Sequence, residues 1–387
     1  MIEDGRWAIK ASQTVEYEVV ETTDLLNPDN PQLASLPGQL EGTGSRLIIL
    51  DQAIEGLCGR KVRRYFSLRG IPVEYLTLPT GDEHKTLDNV LRVTSRLNAL
   101  GTSRLSTPPI AIGGGVVQDT VGMAASLYRR GIPYIRVPTT LLGQIDGSVS
   151  AKNGVNYEGH RNRLGTFTPP PRTLIDRAFL STLPERQVSS GLAEALKLAL
   201  VKDPQLFAVL EKYGASLVAE RLQDSSPETS TEQPGRTTMH RAIAGMAEEL
   251  QKNLWETDLQ RIVDYGHTFS PLIEMKALPE LLHGEAVAMD CVFSAILANQ
   301  RELLSGTDLL RIINTVEAIG LRPSHPLFTD EQVLTLALEE TMRHRNNQQI
   351  ITLLDGIGRT IFVNDLTQSE ISAAASRMRN LIGSEIT

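Results

Sequence analysis

Residues 108–122, Pro-Pro-Ile-Ala-Ile-Gly-Gly-Gly-Val-Val-Gln-Asp-Thr-Val-Gly, constrain this chain more than any other stretch. A short apolar run ends in Gly113, Gly114 and Gly115 and passes into a helical pattern that carries Asp119. A strand that turns through glycine straight into a helix belongs to an α/β fold. The unpaired N–H groups and the dipole at such a helix start favour an anion, above all a pyrophosphate. The glycines are consecutive, not spaced as in G-x-G-x-x-G, so alone they fit a plain tight turn equally well.

The surrounding half of the chain alternates. Strands are expected at 46–51, 73–78, 109–112 and 134–137, and helices at 55–68, 87–100 and 116–130. That alternation implies a doubly wound parallel sheet whose ligands sit beyond the carboxyl ends of its strands. From about Val188 the pattern lengthens into helical periods at 191–201, 239–254, 285–299 and 308–318. A chain of 387 residues also exceeds what one core usually supports. The expectation is an α/β N-terminal domain with a parallel sheet over 1–185 and a mainly α-helical C-terminal domain over 186–387. The junction falls near the proline-flanked 168–172 stretch and the turn-like 181–187. Residues 223–237, rich in Ser, Thr, Glu and Pro, read as a solvated loop within the second domain.

A net charge of −8 argues against a general nucleic-acid binder but permits local basic pockets for phosphate. Cys58 and Cys291 make neither a disulfide framework nor a cysteine metal site. The start of the chain lacks the pattern of a signal peptide, and no apolar run reaches membrane-spanning length, so a cytoplasmic protein is expected.

The second half offers residues for a metal. Glu194 stands in Gly-Leu-Ala-Glu-Ala-Leu-Lys, His267 in Asp-Tyr-Gly-His-Thr-Phe-Ser-Pro, and His283 in Leu-Leu-His-Gly-Glu-Ala-Val. One carboxylate and two neutral imidazoles suit a divalent ion such as Zn²⁺ and leave positions for substrate oxygens. Glu194 and Lys197 lie three apart in a helical pattern and share a face. Taken singly, each histidine is more often a cap or a packing residue, and no compact H-E-x-x-H motif ties them together.

Ordered blocks extend the pattern: Gly113–Gly115 with Asp119, Arg129-Arg130-Gly131, Pro138-Thr139-Thr140-Leu141-Leu142, Asp146, Lys152-Asn153-Gly154-Val155-Asn156, Arg161-Asn162, Ala193-Glu194, Gly266-His267-Thr268-Phe269 and His283-Gly284-Glu285-Ala286-Val287. In these the chain resembles the sugar phosphate cyclase superfamily, the dehydroquinate synthase-like enzymes. The resemblance implies an NAD-binding α/β domain, a helical metal-binding domain, and an active site between them. By position, Asp51, Glu83 and Lys85 resemble the residues that hold the nucleotide part of NAD. Gly114, Gly115, Val116 and Asp119 resemble its pyrophosphate-side contacts, and Thr139, Thr140 and Leu142 continue the pocket. An acidic side chain at a strand end such as Asp51 accepts ribose hydroxyls. Glu194, His267 and His283 match the metal ligands (Zn or Co), and Asp146, Lys152, Asn162 and Lys197 match the substrate pocket. Arg161, Lys152 and Asp146 border the cofactor as well, and Arg130 matches an arginine that reaches phosphate across a homodimer interface.

Departures point to a branch. Where dehydroquinate synthase has a second His four residues after the metal His, this chain has Pro271. Asp264 replaces an Asn, and Gln260 replaces an Arg that binds the substrate carboxylate, with Arg261 beside it. Losing a cation and gaining an acid disfavours a carboxylate-bearing substrate and suits a neutral polyol end. These changes are similar to the 2-epi-5-epi-valiolone synthases, and Phe269 and Glu285 lean away from the desmethyl-4-deoxygadusol synthases.

The resemblance therefore implies conversion of sedoheptulose 7-phosphate to 2-epi-5-epi-valiolone or a close epimer. The steps are transient oxidation by NAD, phosphate elimination, reduction and intramolecular aldol closure, with no net NADH. Arg130, Lys152, Asn162 and Arg161 would hold the phosphate. Dehydroquinate synthase itself, a metal-dependent polyol dehydrogenase and a catalytically silent binding protein are the alternatives. The run Arg343-His344-Arg345-Asn346-Asn347 reads as a solvated face at a place where the family's C-terminal domain returns to the pocket. Tyr265 and Phe269 read as packing around His267.

Overall fold

The computed structural model describes residues 7–35, 45–102 and 107–384. Strands β1 (Glu18–Thr22), β2 (Arg46–Asp51), β3 (Val73–Leu78), β4 (Ile110–Gly113) and β5 (Ile135–Pro138) precede an antiparallel hairpin, β6 (Lys152–Tyr157) and β7 (His160–Phe167), and then β8 (Arg172–Asp176). Without the hairpin they form one six-stranded sheet in the order β1-β8-β5-β4-β2-β3, parallel throughout. Helices α1 (Gln52–Leu68), α2 (Leu87–Ala99) and α3 (Gly115–Leu127) cover it.

The strands are apolar on both faces because both faces are covered. Ile48, Leu50, Ile110, Ile112, Ile135 and Val137 pack with Ile54, Val62, Tyr65 and Phe66 of α1. The alternate residues Leu47, Ile49, Ala111 and Tyr134 pack with Val90, Val93 and Leu97 of α2 and Val117 and Val121 of α3. β2 has β3 on one side and β4 on the other, so the strand order reverses there. The carboxyl ends of those strands, Asp51 and Gly113, therefore flank the crevice where doubly wound sheets bind ligands.

The second half is built from α4 (Glu185–Lys202), α5 (Pro204–Ala219), α6 (Pro227–Glu232), α7 (Pro234–Lys252), α8 (Ser270–Ala277), α9 (His283–Gln300), α10 (Gly306–Ala318) and α11 (Glu331–His344). The antiparallel pair β9 (Ile351–Leu354) and β10 (Thr360–Val363) and helix α12 (Gln368–Ser384) close the chain. α4 and α9 are buried on all sides over most of their length, which makes them the centre of this core. Leu141, Ile145, Val149, Ile175 and Leu180 join the same core from the sheet side. No described helix is long and apolar enough to cross a membrane.

The structure corrects several local expectations. Residues 223–237 are not one solvated loop: they contain α6 and the start of α7. Ser226 caps α6, Glu220 accepts from Ser225 N (2.7 Å) and Thr229 Oγ1 (2.6 Å), and Pro227 and Pro234 stand in the first turns. Proline and serine start helices as readily as they end them, and composition does not distinguish the two. The helix expected at 116–130 stops at Leu127, because Arg129 and Arg130 take left-handed backbone angles (φ 52° and 65°). β1, β8, the β6–β7 hairpin, α5, α8, α11, α12 and the β9–β10 pair lie outside the expected elements.

Candidate active site

Two glycines bring the three possible metal ligands together. Glu194 lies on α4, one turn after Ser190. At the start of α9, a Cβ on Gly284 would fall 1.8 Å from the Ser190 carbonyl oxygen, so only glycine lets these backbones meet. Gly284 N donates to Ser190 Oγ (3.1 Å), and His283 Nε2 comes within 3.2 Å of Glu194 Oε1. Gly266, at φ 75°, lets the preceding loop lie on α9, where an added Cβ would stand 2.6 Å from Cys291 Sγ. Tyr265 donates its hydroxyl to Cys291 O (2.7 Å). His267 Nε2 is 3.8 Å from Glu194 Oε1, and the two imidazoles are 5.4 Å apart. Asp290, seven residues along α9 from His283, accepts Phe269 N (2.7 Å) and Ser270 N (2.8 Å) and so fixes the start of α8. Tyr265 and Phe269 are fully buried packing residues.

The donor set fits a divalent ion. Glu194 is fully buried, and neither carboxylate oxygen accepts a hydrogen bond of good geometry, although the Lys197 ammonium stands against Oε2. Burial alone would raise its pKa, but Lys197 and the two imidazoles outweigh it and hold the carboxyl well below its usual range. Burial, helped by Lys197, lowers His267 to about 3, which keeps its ring neutral and its lone pair available. One ligand atom from each of Glu194, His267 and His283 lies within 4.8 Å of the others. A charged oxygen and two imidazole nitrogens that face it suit Zn²⁺ or Co²⁺.

Glu274 on α8 stands behind this set. Its Oε2 meets His283 Nδ1 (3.0 Å) and Arg161 Nη1 (2.6 Å). Burial opposes ionisation, yet Arg161 and His283 hold Glu274 down to about 2. A carboxylate on Nδ1–H turns Nε2 towards the metal position and makes the ring a stronger donor. Glu274→Gln is expected to weaken metal affinity by about ten- to a hundredfold. Competition against a chelator measures this, and an unchanged affinity would remove the assignment.

On the sheet side, Asp51 Oδ1 accepts Ala53 N (2.8 Å) and Thr80 Oγ1 (2.7 Å), so this carboxylate caps α1. A Cβ at Gly113 would meet that of Asp51 at 2.8 Å, and one at Gly114 would meet Thr140 Cγ2 at 3.1 Å. Gly115 faces open space, and Gly114 caps α3 without a side chain, leaving the first helical N–H groups exposed to a ligand. Thr139 and Thr140 follow the end of β5, Leu142 stands in the helical turn after them, and Val116 lies in the first turn of α3. Buried Lys85 pairs with Asp119 and donates to Asn162 Oδ1 (2.6 Å). Glu83 is two-thirds exposed, with a side chain at 67%, and stands apart from this cluster.

The sugar pocket residues divide. Asp146 lies in a π-helical turn, Gly143–Gly147, where burial and the nearby Glu194 charge raise its pKa. Burial lowers the Lys197 pKa, but Glu194 and Asp146 outweigh it and raise the ammonium overall. Lys152 reaches across to Glu256 (2.9 Å). Arg161 touches the metal side through Glu274, while its neighbour Asn162 touches Lys85. Arg261 pairs with both Glu256 and Asp264, and Asp264 also accepts from Arg345 (3.0 Å). Burial would raise Asp264, yet these two arginines lower it. Gln260 is exposed, and Pro271 sits in the first turn of α8. His344 is exposed at the end of α11, and its buried neighbour Arg345 is the residue that turns inward. Arg130 follows the far end of α3, about 20 Å of helix from the glycine turn, so the fold does not bring it to the site of its own chain. Sequence reasoning missed Glu256, Glu274 and Asp290 and read Arg345 as part of a solvated face. Only Asp290 had a readable signal, its seven-residue helical spacing from His283.

Known proteins match the chain over nearly its whole length. The 3-dehydroquinate synthase N-terminal model matches residues 75–190, and the C-terminal model matches 191–344. The chain is 45% identical to the 2-epi-5-epi-valiolone synthase of an Actinoplanes species, covering 97% of this chain and 94% of that protein. It is 43% identical to that of Streptomyces albus, covering 97% and 91%. ValA, the 2-epi-5-epi-valiolone synthase of Streptomyces hygroscopicus subsp. jinggangensis 5008, solved with NAD⁺ and Zn²⁺ bound, superposes with a TM-score of 0.90 at 43% identity, over 97% of this chain and 99% of that one. A glycine turn at the reversal of a parallel sheet, two histidines gathered around the buried Glu194 where α9 begins, and matches along nearly the whole length lead to one conclusion: the chain belongs to the dehydroquinate synthase family.

Proposed function

We propose that this chain is a sugar phosphate cyclase that converts sedoheptulose 7-phosphate to 2-epi-5-epi-valiolone and phosphate, with NAD used catalytically and one divalent ion, Zn or Co. The observation that carries this reading is the hairpin pair Arg161–Asn162. Neighbouring residues, only about 3.8 Å apart along the backbone, contact the metal set through Glu274 and His283 and the nucleotide side through Lys85. An oxidising cofactor and a Lewis acid bound there would act on the same sugar carbon.

In this reading Glu194, His267 and His283 hold the ion. The free N–H groups of Gly114, Gly115 and Val116 hold the pyrophosphate, and Asp51 Oδ2, which carries neither of the capping bonds, takes the ribose. Glu83, Lys85, Asp119, Thr139, Thr140 and Leu142 complete the nucleotide pocket. When bound, the ion polarises sugar oxygens and NAD reversibly removes hydride. Lys152 and Asn162 hold the phosphate, and Asp146, Lys197 and Asp264 orient the hydroxyls. Arg161 keeps the hairpin, and so Lys152 and Asn162, against the metal side. The departing phosphate has oxygens of its own to take the proton, so these side chains need only hold and align. A nucleotide half, 1–185, and a metal half, 186–387, a cytoplasmic location, and a homodimer in which Arg130 serves the partner's site belong to the same proposal.

The test is cofactor recycling. Protein with NAD⁺ and Zn²⁺ or Co²⁺ should release phosphate from sedoheptulose 7-phosphate over many turnovers without net NADH absorbance, and NMR should identify the cyclitol. NADH formed mole for mole with product would establish a polyol dehydrogenase instead.

A further inference from the structure

β5 places Ile135 and Val137 against α1, and on its other face it buries a charge. Arg136 is 0% exposed, and the acceptors of its guanidinium are Gly147 O (3.2 Å), Ser150 O (2.7 Å), Lys152 O (2.9 Å) and Asn153 Oδ1 (2.6 Å). No carboxylate is among them. The intervening carbonyls are also taken: Ser148 O by Thr173 Oγ1 (2.9 Å), Val149 O by Tyr17 OH (2.9 Å) and Ala151 O by Thr168 N (2.8 Å). Every carbonyl from 147 to 152 therefore accepts a bond, and one side chain supplies three of them. A buried guanidinium without a counter-charge is costly, and an apolar side chain would fill this core position at less expense. What arginine adds is a rigid planar fork of donors that reaches several carbonyls at once.

The segment so held runs from Asp146 to Lys152. We infer that Arg136 is a positioning residue for the substrate pocket, which sets the separation of the Asp146 carboxylate and the Lys152 ammonium by clamping the backbone between them. The inference rests on the proposed function, in which those two groups meet the sugar phosphate. The Arg136 guanidinium donates to no residue of the glycine turn or of the Glu194 set, so its loss acts first on substrate recognition.

Kinetics of the holoenzyme with NAD⁺ and Zn²⁺ test it in Arg136→Gln and the conservative Arg136→Lys. KM for sedoheptulose 7-phosphate is expected to rise at least about tenfold in Arg136→Gln and less in Arg136→Lys, as displacement of a binding group by about an ångström predicts. NAD affinity and zinc content should stay at the wild-type level. Val137→Ala, on the opposite face of the same strand, controls for lost stability: an equal KM rise there overturns the inference. With Lys152→Ala added, the effect of Arg136→Gln should shrink, because no ammonium remains to misplace. A KM rise in Lys152→Ala with wild-type KM in both Arg136 variants overturns the positioning role alone. Unchanged KM in Lys152→Ala and Arg136→Gln together overturns the pocket reading as well.

Discussion

His267→Ala is expected to lose turnover by about a thousandfold or more, because a metal that polarises the reacting oxygens supplies several kcal/mol and each 1.36 kcal/mol is about tenfold in rate. The geometry makes this ligand hard to replace. Burial and Lys197 keep its imidazole neutral, and the remaining donors, Glu194 and His283, lie on two helices locked together at Gly284 and Ser190. Zinc content should fall in parallel. NAD affinity should hold, since the Gly113–Gly115 turn shares no contact with the 265–269 loop in the hydrogen-bond network. Metal analysis, calorimetric NAD titration and phosphate release together decide the matter. Full zinc occupancy with normal turnover in His267→Ala would sink the metal assignment.

The second large effect concerns substrate choice. A substrate carboxylate needs a cation, and the two positions that might supply one do not. Gln260 is neutral and exposed, and Arg261 is already engaged by Glu256 and Asp264. Pro271 closes the first turn of α8 with no proton to exchange. Burying a carboxylate without a partner costs several kcal/mol, so kcat/KM for sedoheptulose 7-phosphate should exceed that for 3-deoxy-arabino-heptulosonate 7-phosphate by about a hundredfold or more. Asp264→Asn removes one of the acids on Arg261 and should narrow that ratio. Comparable kcat/KM for the two sugars in the unaltered protein would mean that Arg261 is available after all, and the preference for a neutral polyol end would fail.

Much of the architecture was legible because it depends on local period. Apolar runs of strand length between helical periods dictate a parallel sheet covered on both faces, and glycine between strand and helix dictates an open helix start at its edge. Glu194, His267 and His283 as candidate ligands, and Gln260 as the place of a missing carboxylate-binding arginine, were legible only through the resemblance to dehydroquinate synthase-like enzymes. Convergence was not. That these three ligands meet depends on Gly284 lying on Ser190 and Gly266 on Cys291, contacts between segments far apart in the chain. The same holds for which charges are spent: Arg261 looks like a spare cation in sequence and is neutralised only where Glu256 and Asp264 fold onto it. Arg345, not His344, turns inward because the end of α11 decides which side faces the site. Local period and residue type are properties of neighbours along the chain, so the sequence alone determined the four strands from β2 to β5, the glycine turn and the chemical inventory. Partnership between buried charges is a property of neighbours in space, and only the tertiary structure decided it.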